Sequence, residues 1–180
     1  MKAVVDYLLD ELGEDPRVDR IYGRVKETGK FMAKAEKKNQ DGSPKYGAPL
    51  EEIIDQVGAR IIVKFEDDRG LIDRRCRQLF NPVKSEAKRP DRPEMFDYEA
   101  THLDLLMPPD IQSPTAFFEL QVCTLFQHAW AEANHDLGYK GHRELDDDQA
   151  RLAALAAANA WGADHSFNEL RRELIKGAKP

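Results

Sequence analysis

Two carboxylates, Asp55 and Glu119, and four cations, Arg24, Lys26, Lys34 and Arg60, are the residues in this sequence best suited to polyphosphate chemistry. Magnesium typically takes one or two protein carboxylates and fills its shell with water and substrate phosphates. Asp55 and Glu119 could share such an ion, and the four cations have spacing that could line a polyphosphate. Lys26, Lys30 and Lys34 recur every fourth residue, so on a helix they form one basic stripe. Taken alone, a stripe of this kind reads as a solvated face. His128, Glu132 and His135 also share a helical face, but their spacing is not His-Glu-x-x-His. A polar face bordering a site is the better reading than a zinc centre.

Strands and helices must place these groups. Residues 59–65, 98–107 and 115–122 read as strands, and the Pro-rich stretch 83–95 as a weak edge strand and loop. Alternation puts Arg60, Ile62 and Lys64 opposite Ile61, Val63 and Phe65, and His102 and Asp104 opposite Leu103 and Leu105. In the last strand Phe117, Glu119 and Gln121 share one face, opposite Phe118, Leu120 and Val122. Each strand thus has one apolar face and one face carrying chemistry. Helices are expected over residues 2–12, 26–38, 50–56, 67–79, 124–137, 146–161 and 166–175. Asp67 and Asp68 are N-cap candidates. Thr124 and Gln127 have the spacing of a capping box. The pattern predicts an α+β (α/β-like) fold, a mixed central sheet of about five strands flanked by helices.

The length of 180 residues suits one domain with its own core. Lys plus Arg is 27 and Asp plus Glu is 33, a formal balance of −6, which is not the signature of a general nucleic-acid binder. Cys76 and Cys123 stand far apart, outside any Cys-x-x-Cys pattern, as expected in a reducing, cytoplasmic setting. Asp6, Asp10 and Glu11 interrupt the first apolar run, so no signal peptide is expected, nor a membrane span.

Six motifs, in order, resemble the RelA/SpoT synthetase family, in particular its small stand-alone members. They are Arg24-Val25-Lys26 with Lys34; Asp55-Gln56-Val57-Gly58-Ala59-Arg60-Ile61; Phe65-Glu66-Asp67-Asp68; Tyr98 with His102; Glu119-Leu120-Gln121-Val122-Cys123-Thr124; and Trp130 with His135, Tyr139 and Lys140. The likeness spans residues 22–140, with helices over 145–176 beyond it, in one synthetase domain over 1–180. It implies a nucleotidyltransferase-like synthetase fold and transfer of the β,γ-pyrophosphate of ATP to the 3′-hydroxyl of GDP or GTP, releasing AMP. It implies that Arg24 stacks on adenine and that Lys26, Lys34 and Arg60 hold the ATP phosphates. Asp55 and Glu119 would bind magnesium, and Glu119 would also serve as base. Tyr98, His102, Gln121 and His128 fall on the acceptor side. The resemblance further implies assembly into homo-oligomers through the C-terminal helices. The hydrolase domain of long family members has no counterpart here, so alarmone hydrolysis is not expected.

Departures from the family pattern cluster on the acceptor side. Glu94 stands where the family often has Lys, Phe96-Asp97 replaces Asn-Gly, and Cys123 replaces Arg. The donor side is nearly intact. Two further readings therefore stay open: a toxin-type relative using a tRNA 3′ end or an adenosine nucleotide as acceptor, and a nucleotide-binding regulator without catalysis. The net charge disfavours tRNA unless a local basic patch compensates.

Overall fold

Two strands that run parallel, Val57–Val63 (β2) and Phe117–Thr124 (β5), form the centre of a sheet whose other pairings are antiparallel. The sheet has five strands in the order β1-β2-β5-β4-β3, with β1 at Val18–Val25, β3 at Lys84–Lys88 and β4 at Ala100–Leu106. The helices are α1 (Lys2–Leu12), α2 (Thr28–Ala35), α3 (Pro49–Glu52), α4 (Glu66–Phe80), α5 (Leu125–Gly141) and α6 (Asp147–Gly177). A 3₁₀ turn, Ile54–Gln56, leads into β2. This computed structural model describes residues 1–80, 82–90, 92, 95–96, 99–141 and 145–177.

The apolar face of the sheet makes the main core. Ile61 and Val63 of β2, Leu103 and Leu105 of β4, and Phe118, Leu120 and Val122 of β5 are buried there. Val4, Leu8 and Leu12 of α1, spaced four apart on one stripe, cover it at one side. Ile72 and Cys76 of α4 cover it at the other. Gly23 of β1 lets α1 approach closely: a Cβ there would sit 2.8 Å from Val5 Cγ2 and 3.1 Å from the Gly58 carbonyl oxygen. The opposite face carries Arg60, His102, Asp104, Glu119 and Gln121. Only its far end is apolar, where Ile62, Cys123 and Ala100 pack against Tyr22 and Leu125.

The long helix α6 is tied to β5 and to the first turn of α4 by polar contacts. The Thr124 hydroxyl donates to Asp164 Oδ2 at 2.5 Å, and the Asp67 backbone N–H donates to Asn168 Oδ1 at 3.1 Å. Arg171 and Arg172 pair with Asp68 and Asp67 at 2.8 and 2.5 Å.

Several expectations are corrected here. A strand at 18–25 was not expected; its charged residues Asp19, Arg20 and Arg24 hide the alternation of an edge strand. Lys26 lies before α2, because its N–H continues the sheet ladder to the Gln56 carbonyl at 2.8 Å, so the three lysines are not one helical stripe. The two expected C-terminal helices are one, with Ser166 in its interior. Asp67 and Asp68 sit inside the first turn of α4, where their charge favours the helix dipole, rather than capping it. The Thr124 hydroxyl does accept the Gln127 N–H at 3.2 Å, but the Gln127 side chain accepts from the Glu99 backbone instead of closing the box.

Candidate active site

Glu119 lies on β5 directly across from Asp104 of β4 and from Gly58 of β2. Both of its carboxylate oxygens are engaged. His102 Nδ1 is 3.1 Å from Oε1, and Gln121 Nε2 donates to Oε2 at 2.6 Å. An ionised carboxylate only accepts, so Nδ1 of His102 carries the proton of that contact. Burial pushes the Glu119 carboxyl up, but the His102 and Gln121 bonds outweigh it and hold the group below its usual range. Across β4, burial and the Glu119 charge raise the Asp104 carboxyl.

The chain of contacts continues through Gln121, whose Oε1 accepts from Arg60 Nε at 3.0 Å and from Nη2 at 2.8 Å. The same guanidinium reaches α5, where Nη1 donates to Glu132 Oε1 at 2.8 Å and to His128 Nδ1 at 3.0 Å. Accepting from Arg60 keeps His128 neutral. Burial first, and then the Arg60 charge, lower its affinity for a proton. Arg60, Gln121, Glu119 and His102 thus form one continuous network across three strands.

Asp55 stands in the turn before β2. Lys26 Nζ lies 2.7 Å from its Oδ2 and Lys34 Nζ 3.0 Å from its Oδ1. Burial raises this carboxyl, and the two lysines more than reverse the effect. The Asp55 charge, across the space between them, opposes ionisation of Glu119. A pair of hard oxygen donors facing one opening, with lysines as the present counter-charge, fits a magnesium ion.

Two clefts meet at this carboxylate pair. One is lined by Arg24, Lys26, Gly58, Arg60 and Gln121 together with Asp55 and Glu119. The other is lined by Lys34, Lys84, His102 and Asp104, again with Asp55 and Glu119. Arg24 is exposed at the first cleft and has no ion pair among the described residues. Lys30 turns from α2 to His135 of α5, with Nζ 2.9 Å from Nε2, across the mouth of the same cleft.

The structure therefore brings together Arg24, Lys26, Lys34, Asp55, Arg60, His102, Glu119, Gln121 and His128. Tyr98 and Glu94 lie outside the described residues. No group of three or more His, Cys, Asp or Glu side chains arranged to hold a metal occurs among the described residues, so His128, Glu132 and His135 do not form one. Sequence reasoning left Glu132 and Asp104 without a task. A buried arginine on a strand needs a counter-charge, and Glu132, one turn beyond His128, supplies it.

Residues 23–144 match the family profile described as "Region found in RelA / SpoT proteins". The chain belongs to the RelA/SpoT family. It is 27% identical over 164 residues to GTP pyrophosphokinase YjbM of Bacillus subtilis, covering 87% of this chain and 74% of that protein. The crystal structure of small alarmone synthetase 1 from Bacillus subtilis superposes with a TM-score of 0.80 at 22% identity, covering 98% of this chain and 94% of that one. The same synthetase bound to its product pppGpp matches at 0.74 and 23% identity, over 97% and 88% of the two chains. Bound to AMPCPP, it matches at 0.67 and 21% identity, over 98% and 88%. The likeness to these crystals is one of fold: α+β, with a five-stranded mixed sheet flanked by helices.

Proposed function

We propose that the chain is an ATP-dependent pyrophosphokinase that transfers the β,γ-pyrophosphate of ATP to the 3′-hydroxyl of GDP or GTP, making (p)ppGpp and releasing AMP. The observation that carries this reading is the place of Glu119, shared by both clefts and held at both oxygens by His102 and Gln121. A depressed carboxyl stays ionised at neutral pH and can accept the proton of a hydroxyl in the His102 cleft. The acceptor oxygen then forms a bond to the β-phosphorus while the bond from that phosphorus to the α-phosphate oxygen breaks.

The first cleft takes the donor. Arg24 stacks on adenine and Lys26 and Arg60 hold phosphates, with Lys34 reaching them from the second cleft past Asp55; the binding of AMPCPP by the relative supports ATP as the donor. His102, Gln121 and His128, with Tyr98, serve the acceptor. Asp55 and Glu119 would hold magnesium, which when bound supplies charge for the phosphate oxygens. The remaining work is positioning, and the strands do it: Arg60 and Gln121 are register partners in the parallel pair. No described helix is long and apolar enough to cross a membrane. The two buried free thiols support a cytoplasmic enzyme. The exposed Leu152, Leu155, Leu170 and Leu174 of α6 support a homo-oligomer assembled through that helix.

A second acceptor class is an adenosine nucleotide or a tRNA 3′ end, and the acidic groups of the acceptor cleft favour the tRNA end, whose terminal adenosine carries a phosphodiester in place of a 5′-di- or triphosphate. Glu52, Glu86 and Asp104 line it beside the lysines and would repel 5′-phosphates. The deciding experiment measures AMP release from ATP and magnesium with GMP, GDP, GTP, ADP, ATP alone or deacylated tRNA, with Glu119→Gln alongside. Acceptor-dependent AMP from GDP or GTP that vanishes in the variant is expected. AMP with adenosine nucleotides or tRNA alone selects the second reading. No AMP at all, with ATP still bound, would leave a nucleotide-binding regulator.

A further inference from the structure

A groove runs between α4, the edge strand β3 and α6, on the α4 side of the sheet. Six cations line it: Arg69, Arg74, Arg77, Lys88, Arg89 and Arg172. Only three carboxylates do, Glu66, Asp67 and Asp73, so with His165 neutral the groove is 6 − 3 = +3 in a chain of −6. Those carboxylates are already engaged. Asp67 pairs with Arg172 at 2.5 Å, Asp73 with Arg77 at 3.0 Å, and Glu66 stands 4.0 Å from Arg69. Arg74 and Arg89 are exposed and have no ion pair among the described residues. Lys88 is paired with Glu86 outside the groove lining, so the charge left without an ion pair resides on the Arg74 and Arg89 guanidinium groups.

Two further features belong to this groove. Gly70 lies within α4, where glycine costs about 1 kcal/mol relative to alanine. A Cβ at that position would meet only Arg74 Nη1, at 3.7 Å, so packing does not demand the glycine. What it provides is a bare helix surface beneath the Arg74 guanidinium, open to close approach by a ligand. At the α6 rim His165 stacks on Trp161, with centroids 5.1 Å apart and planes 4° from parallel, and Trp161 meets Phe96 edge-on at 5.6 Å. Of these rings only His165 lines the groove, and unpaired arginines beside it suit phosphate with a flat ring attached.

We propose that this groove binds an oligophosphate anion, inorganic or carried by a nucleotide, with Arg74 and Arg89 as its principal ligands. It is separate from the two catalytic clefts. Lys88 borders both regions, and the test therefore leaves it untouched. Guanidinium groups bind phosphate oxygens in a planar, two-point fashion that lysine does not reproduce. His165 would lie against the base when the phosphates are nucleotide-borne.

The test is hydrogen–deuterium exchange with inorganic tripolyphosphate as probe, with GTP and ATP in parallel arms. Tripolyphosphate is expected to slow exchange around Arg69, Arg74 and Arg77 in the wild type. It should do so equally in Lys26→Ala/Lys34→Ala, which disables the donor cleft. In Arg74→Glu/Arg89→Glu, and in Arg74→Gln/Arg89→Gln should the charge reversal disturb folding, the apparent dissociation constant should rise at least about tenfold. Protection by GTP or ATP that extends to His165 assigns the nucleotide-borne form, and protection by tripolyphosphate alone assigns the inorganic one. Protection confined to the donor cleft overturns the proposal, as does wild-type protection in both double variants. Protection of the groove by a single-stranded RNA oligonucleotide, where tripolyphosphate and nucleotides give none, overturns it in favour of a macromolecular partner.

Discussion

Lys26 Nζ lies 2.7 Å from Asp55 Oδ2, so a cation proposed to hold donor phosphate neutralises a carboxylate proposed to hold metal. Lys34 does the same from the other side at 3.0 Å. Loading the proposed site with nucleotide and magnesium would exchange one set of ion pairs for another, with the lysines turning to phosphate and Asp55 to the metal. The ligand-free site thereby avoids leaving three half-buried charges without partners. In Asp55→Asn the lysines are released in advance. Without magnesium, a non-hydrolysable ATP analogue should bind this variant as tightly as the wild type or more tightly. Magnesium should add less affinity than it does for the wild type. Calorimetry with and without chelator checks both; weaker magnesium-free binding would show that Asp55 does not restrain the lysines.

Arg60 is divided between Gln121, which positions it, and Glu132, which would compete with a donor phosphate for it. Glu132→Gln keeps the shape and removes the competing charge. The Michaelis constant for ATP should fall several-fold. Stability should fall by about 1–3 kcal/mol, because the Arg60 side chain is only 10% exposed and loses a counter-charge, while the 52% exposure of Glu132 keeps the loss below that of a fully buried pair. Initial rates at low ATP, with a thermal melt, test the pair of outcomes.

Asp164 is buried against Thr124 and has one oxygen without a hydrogen-bond partner. Burial raises its carboxyl from the ordinary 3.8 to about 6. The folded protein keeps a proton that the unfolded chain gives up, so this group's contribution to stability is complete below about pH 3.8 and is lost as pH rises through about 6. Asp164→Asn removes the titration while retaining an acceptor for Thr124. The variant should be more stable at pH 7.5, by on the order of 1–3 kcal/mol, with a flatter stability profile between these values. Denaturant titrations at a series of pH values measure it.

Two neighbouring glycines should behave oppositely. Gly23→Ala forces a Cβ to 2.8 Å from Val5 and should cost about 1–3 kcal/mol by pushing α1 from the sheet. Gly58→Ala meets Arg24 and Glu119 atoms only at 3.8 Å or beyond, so the fold should tolerate it. Its new methyl would enter the donor cleft and raise the Michaelis constant for ATP. Urea unfolding separates the two variants, and kinetics on Gly58→Ala completes the test.

The central strands were legible because burial on one face and chemistry on the other gave clean alternation, as in Phe117 to Val122. The helix over 2–12 was legible from Val4, Leu8 and Leu12. β1 was not, since Asp19 and Arg20 are exposed on an edge strand and carry no apolar signal. The single α6 was not, because Asp164 and Asn168 are buried polar residues inside it, and their partners Thr124 and Asp67 are distant in sequence. The carboxylate pair and its cations could be read from residue type and motif order. The division of Arg60 between Gln121 and Glu132 could not, because it depends on α5 crossing the chemical face of the sheet.

The parallel pairing of β2 with β5 also governs how the protein comes into being. Arg60 and Gln121 are 61 residues apart in the chain, and every strand except β1 that could shelter β2 is made later. As the polypeptide leaves the ribosome, β1 and β2 can form a hairpin early, but its inner edge stays bare until β5 arrives. Such an edge is prone to pair with the wrong strand. The residues proposed for catalysis meet only when that last gap closes. An incomplete nascent chain therefore lacks the assembled candidate site.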